Sequence, residues 1–347
     1  MNATARLSAT RPEAAARLLE LIQMRLISEA IHVVAELGIA DLLADGPKST
    51  EELARASGAD AHSLGRVIRA LTYFDVFSHD SGDRFALGPL GEILKRDATG
   101  SLQGAALFFG GETGMSTLRF FLDCVKTGET AMQKLAGGKR IFEYLASDPR
   151  RVQLFNGVMT SFAVLHMTGL LEAYDFSYAT KIVDVGGGHG KNLLEILKHN
   201  HRAHGVLFDL PHAFEGGKGA VREMGLTDRC EVVSGDFFVS VPAGGDAYIL
   251  SRVIHDWNDE KTAAILKVVR KAIVPHGRLV LLETMLRPDG TTVYPVLSDL
   301  NMLLLTGGCE RTEEEYRALY RAGGFALTQT VATASPTGTT VIEGRPV

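Results

Sequence analysis

The stretch KIVDVGGGHG, residues 181–190, runs directly into the helical segment KNLLEILKHN, residues 191–200. A short apolar strand is followed by a turn of glycines, where a ligand can approach the backbone without meeting a Cβ. The glycines are spaced G-x-G-x-G at Gly186, Gly188 and Gly190, whereas the dinucleotide fingerprint needs G-x-G-x-x-G. We interpret the stretch as the first strand, turn and helix of an α/β sheet, and its spacing argues against a dinucleotide ligand.

Strands and helices continue to alternate towards the C-terminus. The candidate strands are residues 205–209, 230–235, 247–251, 277–284, 325–332 and 339–343. The last two are joined by the turn Pro336-Thr337-Gly338. This order predicts a doubly wound, mainly parallel sheet of seven strands with an antiparallel hairpin at one edge. Ligands of such sheets bind beyond the carboxyl ends of the strands.

The N-terminal half has a different pattern, because its apolar residues recur at three and four positions from Arg11 to about Leu170. Ser49 followed by Glu51 and Glu52 predicts the start of a short helix. A second helix and a small hairpin with its tip at residues 80–83 come next. The order of helix, turn, helix and two-stranded wing resembles a winged helix.

The charge of this module argues against binding to nucleic acid. Residues 1–100 carry 11 basic and 14 acidic side chains, and the whole chain has 36 basic and 41 acidic ones. Phosphate binding depends on a surplus of lysine and arginine. The segment Leu18–Leu37 is too apolar for so small a module to cover alone, which predicts a homodimer.

Composition sets further bounds. The chain has 347 residues, of which 46% are hydrophobic and 22% charged, so it is globular and long enough for one large or two modest domains. Because no apolar run reaches about 18 residues and no signal peptide is recognisable, we expect a cytoplasmic protein without a membrane partner. Three dispersed cysteines, Cys124, Cys230 and Cys309, are interpreted as buried structural thiols, and no metal site is expected.

Acidic residues follow or precede the predicted carboxyl ends of three strands. Asp184 stands two positions before the first glycine, Asp209 closes the second strand, and Asp236 with Phe237 follows the third. A carboxylate at the second strand can accept hydrogen bonds from ribose hydroxyls. Acids without a lysine directed at phosphate suit a nucleoside that carries a positive sulfonium.

His255 is the candidate general base. It lies in SRVIHDWNDEK, where Asn258 and the acids after it are explained as the cap and first turn of the next helix. His255 has no such structural explanation, and imidazole is the commonest general base. Either Glu283 or Glu310 could hold the ring through its other nitrogen.

The motifs VDVGGGHG, GDFF, SRVIHDW, LLET and GGCERTEEEYRALYRAGGF together resemble those of S-adenosylmethionine-dependent small-molecule O-methyltransferases of the caffeate and hydroxyindole type, in their bacterial natural-product branch. The resemblance covers nearly the whole chain. It implies a Rossmann-like catalytic domain at residues 176–347, a winged-helix dimerisation domain at 1–105, and connecting helices at 106–175 that line the substrate pocket. It also implies S-adenosylmethionine as the cofactor and S-adenosylhomocysteine as its product.

The resemblance assigns roles residue by residue. His255 would take the proton of the acceptor hydroxyl, and Glu283 and Glu310 would orient it. The chain departs from the family pattern at Ala163, where a serine is usual, so Ser161 would supply that contact to the cofactor; Cys309 replaces a lysine. The residues that would hold or approach the adenosyl group are Asp184, Gly186, Gly188, Asp209, Leu210, Asp236, Phe237, Ser251 and Arg252.

The acceptor pocket is expected between the helical half and the sheet edge. Apolar and aromatic side chains there would form a flat slot for a phenolic or polycyclic aromatic acceptor. The candidates are Phe155, Met159, Phe162, His166, Trp257, Met302 and Leu305. Two alternatives remain: a relative that keeps the cofactor for hydroxylation, decarboxylation or rearrangement, and a nicotinamide oxidoreductase, which the glycine spacing disfavours.

Overall fold

The computed structural model describes residues 10–139, 141–288 and 292–347, without the side chains of residues 142, 143, 146, 160 and 212. These residues form two compact units. The first unit contains the described residues up to Arg119 together with Phe142–Val164, and the second contains Phe120–Ile141 and Leu165–Val347. The division of the chain into residues 1–105, 106–175 and 176–347, which the sequence analysis gave, stays a prediction.

The first unit begins with a long helix and continues into a winged helix. Its elements are α1 (Arg11–Glu36), α2 (Ile39–Leu42), β1 (Lys48–Ser49), α3 (Thr50–Ser57), α4 (Ala61–Thr72), β2 (Phe77–His79), β3 (Arg84–Leu87), α5 (Pro89–Glu92), α6 (Gln103–Gly110) and α7 (Glu112–Leu118). The wing has a third strand that the sequence did not indicate, because β1 pairs with β3 in the order β1-β3-β2. Two residues are too few for an alternating pattern to be recognised.

Local caps explain where the wing helices start. The Ser49 side chain accepts a hydrogen bond from the Glu52 amide, and Glu52 accepts one from the Ser49 amide, which is a capping box at the predicted position. Asp60 caps α4 in the same way through the Ser63 amide. The faces of α3 and α4 that these caps orient bury Leu53 and other apolar side chains in one core cluster.

Helix α1 carries an apolar face that its own unit leaves open. Six large apolar side chains are between 37% and 59% exposed: Leu18, Leu19, Leu21, Ile22, Met24 and Leu26. Monomeric proteins rarely expose a contiguous apolar patch of this size, and such patches mark interaction surfaces.

The chain then passes through α8 (Phe121–Thr127), α9 (Ala131–Leu135), α10 (Ile141–Ala146), α11 (Pro149–Met167) and α12 (Leu170–Ala173). Among the described residues, the helical stretch Pro149–Ala173 is by length and composition apolar enough to cross a membrane. The core helix of a soluble protein passes the same test, so this finding is weak evidence for a membrane span.

The second unit is built on the predicted sheet. Its remaining elements are β4 (Lys181–Val185), α13 (Lys191–His199), β5 (His204–Asp209), α14 (Phe214–Glu223), β6 (Cys230–Ser234), β7 (Ala247–Ser251), α15 (Asp259–Ala272), β8 (Arg278–Thr284), α16 (Tyr294–Leu305), α17 (Glu313–Gly323), β9 (Phe325–Ala332) and β10 (Thr339–Pro346). In the described part of the chain, seven strands pair in the order β6-β5-β4-β7-β8-β10-β9.

Strands β4 to β8 are parallel, and the terminal hairpin adds β10 and β9 antiparallel, so the predicted fold class is confirmed. Helices pack on both faces: α15 and α17 cover one, and α13 and α14 the other. Both faces are apolar because every central strand is buried on two sides. Polar side chains therefore concentrate at the strand ends.

The capping box at Ser49 and Glu52 should contribute to the stability of the winged helix. Replacing Ser49 with alanine (Ser49→Ala) removes the acceptor for the Glu52 amide and should lower the free energy of unfolding by about 1 kcal/mol. Urea unfolding monitored by circular dichroism measures this difference. Ser78→Ala, on the exposed strand β2, is the matched control and should leave the free energy within about 0.5 kcal/mol. Equal losses for the two variants would contradict the capping role.

Candidate functional site

The glycine turn joins β4 to α13 and contacts the end of β5. Gly186 has φ +72°, and a Cβ at this position would lie 2.9 Å from Val253, so the turn tolerates only glycine there. Asp209 accepts hydrogen bonds from the amides of Gly188 (2.7 Å) and Leu210 (2.6 Å). The Asp209 carboxylate thus fixes the turn, and its oxygens keep lone pairs for further donors.

Asp184 lies behind the turn. Its side chain is buried, and a Cβ on Gly187 would meet it at 2.6 Å. Burial, with a smaller contribution from the charge of Asp209, raises the pKa of Asp184 to about 7. The residue supports the turn from beneath, and its direct contact with a ligand stays a prediction.

Three aromatic rings gather beside the turn. Phe237 and Phe238 follow β6, and each makes an edge-on contact with Trp257, with ring centroids 6.3 and 4.8 Å apart. Trp257 was expected in the acceptor slot, and the structure places it against Phe237, which was assigned to the cofactor, and against Phe238. Asp236 is exposed next to them and accepts the Phe238 amide.

Ser251 ends β7 on the other side of β4. Its hydroxyl accepts a hydrogen bond of 2.7 Å from the Asn192 side chain, on the first turn of α13. Asn192 was not singled out from the sequence, since an asparagine inside a helical segment gives no signal of its own. The contact ties the ends of β7 and β4 together at the carboxyl edge of the sheet.

His255 and Glu283 form a buried pair at this edge. His255 lies in a short 3₁₀ turn, Ile254–Asp256, after β7, and its Nδ1 is 2.8 Å from Glu283 Oε2. The other oxygen of Glu283 accepts the amides of Val253 (3.1 Å) and Ile254 (3.0 Å). Glu283 therefore fixes both the imidazole and the backbone that carries it.

The electrostatics of the pair follow from its burial and its neighbours. Burial and the charge of Arg252 lower the pKa of His255, but Glu283 and Asp256 raise it by more, so it lies above its ordinary value. Burial opposes the ionised form of Glu283, yet His255, Arg252 and the Ile254 amide hold its pKa below the ordinary value. Asp256 Oδ1 lies 3.5 Å from His255 Nε2.

Glu310 was also expected to orient the imidazole, but its hydrogen bonds go to other residues. The Glu310 Oε1 atom accepts hydrogen bonds from Arg252 Nη2 (2.8 Å) and the Ser298 hydroxyl (2.6 Å). Of the two glutamates that the sequence left open, Glu283 is the one that holds His255. A spacing pattern cannot distinguish two acids that the fold brings to one site, Glu283 from strand β8 and Glu310 from the loop between α16 and α17.

Arg311, within the quoted motif GGCERT, was overlooked. This buried guanidinium binds the carbonyls of Ile254 (3.3 Å) and Trp257 (2.8 Å) on either side of His255, and it also binds Asp259 (2.9 Å). Gly308 in the same loop lies against the His255 carbonyl, where a Cβ would collide. The turn that carries His255 is thus held from outside by the loop between α16 and α17.

The predicted acceptor residues fall in both units. In the first unit, Phe155 packs against Phe108, and Phe162 stacks on Phe109, with ring centroids 5.8 and 6.3 Å apart. Met159 is exposed there. Whether these side chains line an acceptor slot stays a prediction.

The other acceptor candidates belong to the second unit. His166 is buried, with Nδ1 at 2.8 Å from the Thr337 hydroxyl, and burial lowers its pKa well below the ordinary value. Met302 accepts a long hydrogen bond from Thr306, and Leu305 packs in a small cluster with α8. These contacts give each residue a packing role, and their contact with an acceptor stays a prediction.

The remaining assignments are placed as follows. Ser161, in the first unit, donates to the Gly157 carbonyl at 2.9 Å, and its contact with the cofactor stays a prediction. Leu210 is exposed directly after Asp209. Cys124 and Cys230 are buried as expected, whereas Cys309 is only half-buried, because it lies in the loop between α16 and α17.

Comparison with known proteins identifies the family. An O-methyltransferase domain model matches residues 120–326, and an O-methyltransferase dimerisation domain model matches residues 19–97. The first match alone covers more than half of the chain. The two matches correspond to the sheet unit and the winged-helix unit.

Individual relatives agree with these matches. The phenazine O-methyltransferase PhzM of Lysobacter antibioticus is 38% identical over 95% of this chain and 96% of its own, and the mitomycin biosynthesis 6-O-methyltransferase of Streptomyces lavendulae is 33% identical over 92% and 91%. The crystal structure of LaPhzM superposes with a TM-score of 0.86 at 38% identity, covering 96% of this chain and 99% of its own. This chain therefore belongs to the S-adenosylmethionine-dependent O-methyltransferase family.

Proposed function

We propose that this enzyme methylates a hydroxyl group of a small aromatic natural product and that His255 takes the proton of that hydroxyl. The observation that carries the proposal is the His255–Glu283 pair, with Nδ1 and Oε2 2.8 Å apart at the carboxyl edge of the sheet. An ionised Glu283 accepts a hydrogen bond from the protonated Nδ1 of the neutral imidazole. Nε2 then keeps the lone pair that a general base needs.

The residues at the sheet edge fit S-adenosylmethionine. The glycine turn offers open backbone at Gly188, because nothing lies within 4 Å of the place where a Cβ would stand. Asp209 lies at the end of the neighbouring strand with lone pairs for ribose hydroxyls, and Asp236 stands beside an aromatic ring suited to a purine. The carboxylates also complement the positive sulfonium.

Bound S-adenosylmethionine supplies a methyl group that is already activated for displacement. The chain has to align the acceptor oxygen, exclude water and remove a proton. Alignment contributes about 7–11 kcal/mol to such reactions, whereas a positioned base contributes roughly 10²–10⁴-fold. Positioning should therefore dominate catalysis, and His255 should matter most for weakly acidic hydroxyls.

The proposed acceptor class rests on side chains and on relatives. The candidate side chains Phe155, Phe162 and Met302 are apolar, and Met302 is also adaptable, as contacts with a planar ring require. Of the relatives named above, one is named as a phenazine O-methyltransferase and the other as a 6-O-methyltransferase of mitomycin biosynthesis. We propose a phenolic or polycyclic aromatic acceptor from secondary metabolism.

The enzyme is proposed to act as a cytoplasmic homodimer. The exposed apolar face of α1 lies within or beside the segment that matches a dimerisation domain, residues 19–97. Burying that face against a second copy would remove the patch from water, and closed twofold dimers are the commonest assemblies of soluble proteins.

Methyl transfer can be tested directly. The enzyme is incubated with S-adenosylmethionine carrying an isotopically labelled methyl group and with a panel of hydroxylated aromatics, and the products are analysed by mass spectrometry. We expect one acceptor or more to gain a single labelled methyl group. An acceptor that is changed without taking up label would instead support a reaction that retains the cofactor but transfers no methyl group.

The base assignment predicts a graded loss. His255→Ala should lower kcat by about 10²–10⁴-fold without abolishing turnover, because alignment remains. Steady-state kinetics on phenols of different acidity measure the loss, which should be greatest for the least acidic. The exposed His199, replaced by alanine, is the matched control and should retain full activity. An unchanged kcat in His255→Ala on an ordinary phenol would rule out His255 as the base.

The cofactor assignment predicts selective thermal protection. S-adenosylhomocysteine at about 100 times its Kd should stabilise the protein by about 2.7 kcal/mol, whereas NAD should not. Asp236→Ala should lose much of this protection in thermal unfolding. Glu231→Ala, an exposed acid at the opposite end of β6, should keep it. Equal thermal protection of the two variants would contradict the assignment of Asp236 to the cofactor site.

A further inference from the structure

Arg252 has a strained backbone at the centre of the site. Its φ is +55°, a left-handed conformation that costs a residue with a Cβ about 1–2 kcal/mol. Its amide still donates to Leu282 in the neighbouring strand, at 3.0 Å. Such strain persists where the surrounding contacts over-determine it, and here those contacts are made by the side chain.

The Arg252 guanidinium connects two buried glutamates. Nη1 lies 3.4 Å from Glu283 Oε2, the oxygen that also binds His255, and Nη2 lies 2.8 Å from Glu310 Oε1. Nη2 also lies 3.2 Å from the Ser298 hydroxyl, which itself donates to Glu310. The side chains of both glutamates are fully buried, so their charges depend on this cation.

We propose that Arg252 is a positioning residue for the base, because its cation binds the Glu283 oxygen that holds His255 and offsets the carboxylate charge there, and that Glu310 acts on the imidazole through Arg252 rather than by contact. The inference rests on the proposed function of His255. It gives a role to Glu310, which binds Arg252 and Ser298, and it accounts for the strained conformation of Arg252.

The carboxylates around His255 favour its protonated form, and the positive charge of Arg252 opposes them. Glu283 faces Nδ1 and Asp256 faces Nε2, and both carboxylates favour the protonated imidazolium. An imidazolium cannot accept the proton of a hydroxyl. The positive charge of Arg252 opposes the effect of both carboxylates on the pKa of His255. The negative charge of Glu310 partly offsets that of Arg252. Other titratable groups whose charges reach this network are His166 on α11, Tyr294 and Asp299 on α16, Arg311 in the loop before α17, and Tyr316 and Tyr320 on α17.

The proposal predicts pKa shifts of opposite sign for two variants. Arg252→Met removes the positive charge, so the pKa of His255 should rise. Glu310→Gln leaves Arg252 less neutralised, so the pKa of His255 should fall. A merely structural role would destabilise both variants without producing opposite shifts. In the double variant, the effect of Glu310→Gln should be largely lost, because the residue that transmits it is missing.

The test has two readouts. Histidine-labelled enzyme without cofactor is titrated by NMR, with the His255 signal assigned by its disappearance in His255→Ala. The pH profile of kcat/KM is measured in parallel. Because the base acts when neutral, kcat/KM should rise with pH through the His255 titration, and each unit of upward shift should lower it about tenfold on the acidic limb.

A matched control is available in the same unit. Arg278 also binds a buried glutamate, Glu343, at 3.1 Å, but on strands β8 and β10 away from His255. Arg278→Met should cost stability and leave the His255 titration unchanged. If Arg252→Met does not fold, Arg252→Gln, which removes the charge but keeps a side chain able to donate to the glutamates, replaces it in the single and double variants.

Each remaining result has a defined meaning. Unshifted His255 titration in the Arg252 and Glu310 variants, or a shift of the same sign in both, overturns the proposal. An equal shift for Glu310→Gln with and without Arg252 overturns the role of Arg252 as the intermediary. The NMR titration does not depend on turnover, so a wild-type enzyme that fails to methylate would contradict the proposed function without deciding this inference.

Discussion

The site depends on one buried carboxylate. Glu283 is fully buried at the end of β8, where an ionised group is stable only if its environment replaces water. Two backbone amides, the imidazole of His255 and the guanidinium of Arg252 do so. Removing one partner of such a buried pair typically costs about 3–5 kcal/mol. These contacts therefore fix the turn at Ile254–Asp256 and the orientation of the His255 imidazole.

The same constraint separates the two ends of the site. At the glycine turn, Asp209 and Asp236 keep their carboxylates half-buried or exposed, where they can accept hydrogen bonds from a ligand. Around His255, Glu283 is enclosed and bound by the protein through both of its oxygens, and Glu310 is enclosed and bound through Oε1. The glycine-turn end of the sheet edge thus keeps carboxylate oxygens at least partly exposed, whereas Glu283 uses its hydrogen bonds to fix the imidazole of His255.

Most of the fold was predictable because local signals agree with it. The strands from β4 to β8, the terminal hairpin and the caps at Ser49 and Asn258 were found from apolar runs, turn residues and capping residues. Strand β1 was missed because its two residues carry no pattern. The placement of His255 at the carboxyl edge followed from the order of strands, since every parallel strand ends on the same side.

The sequence by itself determined which chemical groups are present and which strand end carries each, because these follow from chain order and residue type. It could not determine which acid holds His255, that Glu310 binds Arg252, that Trp257 packs on Phe237, or that Arg311 anchors the turn that carries His255. Those pairings join residues far apart in the chain. Only the tertiary structure decided them, because a buried charge selects its partner by distance and desolvation, and neither is written in local sequence.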